Sequence, residues 1–553
     1  MLTRRQALTA TAAVLITRPG WTADQLDVAY INGTVWTGAT GAARTDAIGT
    51  VGAKIAALGG GAVKAATGKR TRIVDLGGAF VMPGFIDNHT HFLRAALMLS
   101  QASLRTAKTP AELTKRIGDA AAGLKPGQWL QGGNWDAELW GGELPTRHWI
   151  DAVTPNTPVA VVRLDQHALL LNSLALKLAG IDRNTPDPVG GVIVRDEKGE
   201  PTGILKDRAK PLVQRIIPVP SDDDTETAMR KGIARGLSLG VAQVHTTELD
   251  WATHDILRRM RAKGETDIRF YSFVPLPDWE RMNALVKAEG RGDDWVRWGG
   301  VKGLVDGSLG SKTALFRAAY NDAPDTRGIT VVKMPDLRQW LLDADRAGLH
   351  ITVHAIGDAA NDDLLDMFAD TVKANGERDR RFRIEHAQHL SPEAIPRFAR
   401  QNVIASVQPF HAIDDGRWAI NRLGPERLKG TYAFKSLMDA GACVTFGSDW
   451  PVAPIDPLTG VAAAVLRQTI DGANPSGWLP EQKVTVEQAL VAYTRNNAYA
   501  GYQEDRLGVL KTGYIADLTV LDTDLLKADP AKITGAKVLR TIVNGVQRYG
   551  SET

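Results

Sequence analysis

The alternation of apolar and polar positions divides the chain into three parts. Residues 27–38 (DVAYINGTVWTG), 54–60 (KIAALGG) and 71–85 (TRIVDLGGAFVMPGF) read as short strands punctuated by glycine, the pattern of tight turns in an antiparallel sheet. The far end behaves alike. Residues 513–522 (GYIADLTVLD) and 537–549 (KVLRTIVNGVQRY) are again short strands, with a hairpin signal at Asn544–Gly545. Two β-rich ends predict one small sheet domain assembled from both termini.

The middle changes period. Strand-like HITVHAIG (350–357) precedes helix-like DDLLDMFADTVKANG (362–376), and RFRIEHAQHL (381–390) precedes SPEAIPRFARQ (391–401), where Ser391 and Pro392 mark a helix start. NVIASVQP, YAFKSLMDAG, CVTFGSD and PLTGVAAAVLRQTI continue the alternation. Strands alternating with helices predict a parallel sheet, and the length suits a (β/α)₈ TIM barrel of the α/β class. A doubly wound open sheet is the alternative, but no glycine-rich phosphate loop follows a first strand. Residues of about 100–235 fit the alternation poorly and are read as an insertion over the barrel mouth. The expected division is 24–80 and 501–553 for a composite β-sandwich and 81–500 for the barrel with its insertion.

Composition narrows the function classes. The chain has 553 residues, 44% hydrophobic and 23% charged, with a net charge of +3. No basic footprint for nucleic acid is present. No stretch is long and apolar enough to span a membrane. The single cysteine, Cys443, excludes an internal disulfide and a cysteine-rich zinc site; its apolar surroundings suggest a buried structural thiol. Residues 1–23 hold Arg4–Arg5 before an uncharged stretch, the layout of a twin-arginine export signal, which implies a periplasmic location; a plain tail with a cytoplasmic chain is the other reading.

Ionisable residues recur where apolar strands end. GFIDNHTH offers His89 and His91, which as residues i and i+2 of a strand share one side. GLVDGS follows Lys302, HITVHAIGD carries His354, FRIEHAQ carries His386, and VTFGSDWP carries Asp449. A barrel keeps its chemistry at the C-terminal ends of its strands. Imidazole and carboxylate suit zinc and similar divalent ions. Local alternatives exist: Lys302 could pair with Asp306, and Asp449 could cap the next helix. His167 (RLDQHALLLNS) is a candidate substrate-side group or a structural hydrogen-bonder within the insertion. His245 ends a strand-like run and is expected to face the mouth, whereas His389 and His411 have no assigned role. Trp135 and Trp140 could line an apolar pocket or form core.

The succession PGFIDNHTH, VKGLVDGSLGSKTA, HAIGDAA, IEHAQ and FGSDWPV resembles the amidohydrolase superfamily, and more narrowly amidohydrolase family 3, the group related to N-substituted formamide deformylases. INGTVWTG, GGNWDAELW, DQHALLLNS, ADLTVLD and IVNG extend the likeness over nearly the whole chain after the leader. Gly303 and Gln166 depart from the usual pattern, a bulkier apolar residue and a glycine respectively, so no relative's substrate is carried over.

The resemblance implies a metal-dependent hydrolase of non-peptide C–N bonds, amide or formamide. It makes His89 and His91 ligands of one metal, His354 and His386 ligands of a second, and Lys302 a bridging carbamate. The metal is a divalent ion of the zinc kind, one or two per chain. Asp449 would bind the first metal and shuttle the proton as metal-bound hydroxide attacks, with His167 polarising the scissile carbonyl. The partner is a small-molecule substrate, and a homodimer is compatible with the sequence. An esterase or lactonase using the same site is one alternative; a non-catalytic exported regulatory or binding protein on the same fold is another.

Overall fold

The computed structural model describes residues 25–551 except 42, 43, 100 and 126; the export-signal segment lies outside the described residues. Eight parallel strands form the central sheet in strict chain order: β1 Phe85–Thr90, β2 Val241–Thr247, β3 Arg269–Pro275, β4 Val296–Leu304, β5 His350–Ala355, β6 Arg383–His386, β7 Ile404–Val407 and β8 Val444–Phe446. A parallel bridge from Thr90 to Trp450 brings the last strand back to the first, so the sheet curls into a nearly closed TIM barrel. The strands are buried along nearly their whole length, as sheets covered on both faces must be; only Pro275, Arg297 and Leu304 are half-buried.

The covering helices are amphipathic. Helix Asp222–Ser238 is capped by the Ser221 hydroxyl, which accepts from Asp224 N at 3.2 Å, and three aspartates occupy its first turn, where the helix dipole favours negative charge. Its buried Met229, Ile233 and Leu237 recur every fourth residue and face the barrel core. The helix expected from Ser391 begins instead at Ile395. A helix from 392 would place Pro396 in its interior, against the carbonyl four residues back; starting at Ile395 leaves that proline in the first turn. Ser391 accepts from Ala394 N at 3.1 Å within the preceding turn.

Both ends of the chain meet in one sheet. Phe80–Pro83 pairs antiparallel with Leu518–Leu521, which pairs with Val538–Val543 and through it with Val546–Tyr549. Asn544 and Gly545 both have positive φ, as the hairpin turn requires. A second sheet of strands from residues 28–75 packs against this one across a core including Tyr30, Val74, Leu518 and Ile542. The sandwich is tied to the barrel by Arg269 of β3, whose buried guanidinium forks onto Asp517 at 2.6 and 3.0 Å.

The insertion enters between β1 and β2 and builds its own six-stranded sheet from residues 102–207. Trp135 is fully buried there, its indole donating to Val161 O at 3.0 Å, and half-buried Trp140 packs on the same cluster; neither lines the cavity at the barrel mouth, which favours the core reading of both. Cys443 is half-buried just before β8, more accessible than its apolar surroundings suggested.

Candidate active site

A cavity of about 570 Å³ lies between the C-terminal ends of the barrel strands and the insertion. His91, Lys302, His354, His386 and Asp449 line it from the barrel, and His167 from the insertion. His89 stands fully buried behind them. Candidate ligands from β1, β4, β5, β6 and the turn after β8 thus converge on one place.

The seam between the first and last strands positions the closest group. Asp449 N donates to His89 O at 2.7 Å, and His91 N to Trp450 O at 2.8 Å. Gly447 permits this approach: a Cβ there would meet Asn88 Oδ1 at 2.5 Å and His89 N at 2.7 Å. Asp449 (φ 61°), His386 (φ 76°) and Ala387 (φ 40°) occupy the left-handed region, costly for residues with side chains and sustained by their surroundings. As a result, Asp449 Oδ1 lies 3.4 Å from His89 Nε2 and 3.3 Å from His91 Nε2. Ligand atoms of His89, His386 and Asp449 all fall within 4.8 Å of one another. Asp449 does not cap the following helix; Asp456 does, accepting from Leu458 N.

Most of these rings are held by one nitrogen only. His89 Nδ1 donates to Glu385, His386 Nδ1 to Gln408 Oε1 at 2.8 Å, and His354 Nε2 to Gly307 O at 3.0 Å. His91 Nδ1 is 3.4 Å from Glu248 Oε2. The other nitrogen of each ring is left for a ligand, the arrangement metal-binding histidines adopt. His89 Nε2 and Asp449 Oδ1 are buried and make no hydrogen bond. An unsatisfied buried nitrogen and oxygen facing each other are costly unless something sits between them. These residues therefore fit a divalent cation.

Electrostatics agrees. Burial, then the Lys302 charge, lowers the His89 pKa to about 4, and burial drives His354 and His386 well below their ordinary value. These three rings are neutral, as ligation demands; at His91 burial also pulls the pKa down, but the neighbouring Asp449 and Glu248 carboxylates outweigh it and raise it. Burial opposes ionisation of Asp449, but the neighbouring His89 and His91 outweigh it and hold the carboxyl below its usual range. Lys302 is buried, and burial lowers its pKa to about 8 against the pull of Glu385 and Asp449. It does not pair with Asp306, which is occupied by the backbone N–H groups of Leu315, Ile356 and Gly357 at 2.8–3.0 Å.

His167 makes the structural hydrogen bond and also lines the cavity: Nδ1 donates to Asp207 Oδ1 at 2.6 Å, and the ring lies 5.5 Å from that of His354. Gln166 takes a glycine-like φ of 63° and is fastened by its amide to Asn134 Oδ1 at 2.7 Å. His245 does not face the mouth. Its ring meets Arg383 Nη1 at 3.1 Å and Gln243, deeper in the barrel. His389 is tied to Thr431, whereas His411 lines the cavity 3.7 Å from Asp449 Oδ2.

Glu385 escaped the sequence reading. Fully buried beneath the site, it accepts from His89, Thr352 and Ser406 and pairs with Arg383 Nη2 at 2.7 Å. Arg383 and Glu385, two charges at i and i+2 of an apolar strand, were the available signal.

A barrel with neutral imidazoles and a carboxylate gathered at its strand ends, under a lid, defines the metal-dependent hydrolases. Comparison with known proteins is specific. Residues 72–549 match the model of the Amidohydrolase family, and the chain belongs to that family. It is 39% identical over 536 residues to Protein LONG AFTER FAR-RED 3 of Arabidopsis thaliana, covering 95% of this chain and 91% of that one. It is 28% identical over 505 residues to the N-substituted formamide deformylase of Arthrobacter pascens, covering 88% and 91%. Among solved structures, an uncharacterized metal-dependent hydrolase from Pyrococcus horikoshii OT3 superposes with a TM-score of 0.74 at 30% identity, over 91% of this chain and 99% of the other. The protein is a hydrolase of carbon–nitrogen bonds other than peptide bonds.

Proposed function

We propose that the substrate is a small amide or formamide whose C–N bond is cleaved over the cluster of His89, His91, Lys302, His354, His386 and Asp449. The observation that carries this reading is the pair of unsatisfied buried atoms, His89 Nε2 and Asp449 Oδ1, 3.4 Å apart beside His386. His89, His91 and Asp449 would hold one zinc-like ion; His354 and His386 would hold a second, with Lys302 between them as a carbamate. Such ions supply Lewis acidity and activate water at neutral pH. A lysine pulled toward its neutral form by burial can add carbon dioxide, which turns a cation into an anionic oxygen donor.

Asp449 is the proton carrier. Its carboxyl stays ionised, so it accepts the proton of the attacking water and later delivers it to the leaving nitrogen. His167, clamped by Asp207, presents its other nitrogen to the scissile carbonyl oxygen. The insertion covers the reacting groups and limits access of bulk water. The twin-arginine leader is proposed to export the folded chain to the periplasm, and sequencing the N-terminus of the mature protein from its host tests this: a chain that begins at Met1 refutes it.

The deciding experiment combines metal analysis, intact mass under gentle conditions and a screen of amides and formamides. One or two ions per chain, turnover, and its loss by ~10³-fold in Asp449→Asn with most metal retained are expected. A carbon-dioxide adduct absent in Lys302→Ala supports the carbamate. A chain purified without metal from metal-replete, chelator-free conditions, or full turnover in Asp449→Asn, overturns the reading.

A further inference from the structure

Away from the metal cluster, the cavity wall carries five cations that the chemistry above does not use; Arg163 and Arg417 are paired with carboxylates and Arg208 donates to Val331 O at 3.2 Å, which leaves Arg94 and Lys210. Arg94 lies on helix Phe92–Met98, one turn beyond His91, and Lys210 lies in the insertion just past Asp207; both line the cavity. Among the described residues neither has a carboxylate within ion-pair distance. The Lys210 ammonium has one acceptor, Gln166 O at 2.5 Å, for its three N–H groups.

The acids of the same cavity are engaged elsewhere. Asp207 receives His167, and Asp165 receives Arg163 at 2.6 Å and Ser311 at 3.0 Å. Asp136 and Asp414 are both bound by Arg417. Asp250 accepts the Ala252 N–H at 2.9 Å. Arg94 and Lys210 therefore face the cavity with no carboxylate in ion-pair contact, Glu248 and Asp250 acting on Arg94, and Asp207 and Asp165 on Lys210, only from a distance. Burial, then the charge of Arg94, lowers the Lys210 pKa to about 8 against the pull of Asp207 and Asp165, so the two cations sense each other. Like charges brought together in a partly desolvated wall are unfavourable until an anion joins them.

We propose that Arg94 and Lys210 receive an anionic group of the substrate, carboxylate or phosphate in kind, carried close to the C–N bond that is cleaved. This rests on the hydrolase reading and specifies its substrate class. A guanidinium fork and an ammonium point charge together suit a trigonal or tetrahedral oxyanion. Neutral amides would leave both cations unanswered.

Three matched probes test this by calorimetric titration of the metal-loaded protein: N-acetylglycine, acetamidomethylphosphonate and N-methylacetamide. At least one anionic probe should bind about tenfold or more tightly than the neutral one. Arg94→Gln and Lys210→Gln should each shrink that gap several-fold, with Arg94→Lys restoring part of it, while metal content and melting temperature stay near the parent's. The anion that shows the larger gap identifies the source. No gap in the parent protein, or a gap that survives both glutamine substitutions because the anion rests on the metal, overturns the proposal. Hydrolysis is scored separately: an Arg94- and Lys210-dependent gap in a protein that cleaves no amide sinks the proposed function and leaves the anion site standing.

Discussion

Replacing Gly447 with alanine presses on the seam that sets the site. The new Cβ would lie 2.5 Å from Asn88 Oδ1, 2.7 Å from His89 N and 2.9 Å from Asp87 Oδ1. The His89 nitrogen is backbone and cannot swing away, so the turn after β8 must retreat from β1 by about 0.5 Å to recover normal contact. Overpacking of this kind costs about 1–3 kcal/mol. At roughly 2–4 °C per kcal/mol for a large domain, the melting temperature should fall by about 2–12 °C. The same retreat widens the gap between Asp449 and His89, and ligand sets tolerate only about 0.5 Å of error, so metal affinity should drop about tenfold. Calorimetry of the metal-loaded protein and competition with a chelator read the two effects. Gly61→Ala, at a position with open space around it, is the control. A Gly447→Ala protein that melts within about 1 °C of the parent and keeps its metal affinity would refute the account of the seam.

Glu385→Gln removes the charge that orients His89, so metal affinity should fall about 10–100-fold with the barrel still folded; unchanged affinity in chelator competition would show that His89 is positioned by packing alone. Arg269→Met strands the buried Asp517 carboxylate between barrel and sandwich, and urea unfolding should show a loss of about 3–5 kcal/mol; a loss below about 1 kcal/mol would mean the two domains do not depend on that pair. His389 is buried, and burial followed by the Arg427 charge lowers its pKa to about 3, below its value in the unfolded chain. The unfolded state therefore takes the proton first, and stability is intact above about pH 6.5 and falls as pH drops toward 3. In His389→Gln this part of the acid decline should vanish, and melting curves of the two proteins that run parallel from pH 7 to 4 would count against it.

The barrel could be read because its strands are buried on both faces and end in ionisable residues. Neither feature needs knowledge of long-range contacts. His89, His91, Lys302, His354, His386 and Asp449 all stood out for that reason. Glu385 did not, because beside His386 in the quartet RIEH its carboxylate reads as one more polar position; only the curl of the sheet turns it under His89. His411 sits on a short helix whose relation to Asp449 depends on the loop after β7, which no period encodes. The late start of the helix at Ile395 was legible in hindsight from two prolines four residues apart. Gln166 shows the limit most clearly: its left-handed backbone is held by Asn134, thirty-odd positions away, and propensity points to glycine.

The parallel bridge from Thr90 to Trp450 has a consequence for how the enzyme matures. During synthesis His89 and His91 emerge early and must wait for almost the entire barrel domain before Asp449 follows. The cluster cannot be completed until almost the whole barrel domain has been synthesised. Loading would then be a late event that certifies a finished barrel, and an ion held there would rivet the first strand to the last. A chelator would accordingly act as a wedge at that joint, loosening the ring where it closes rather than eroding it from its helices.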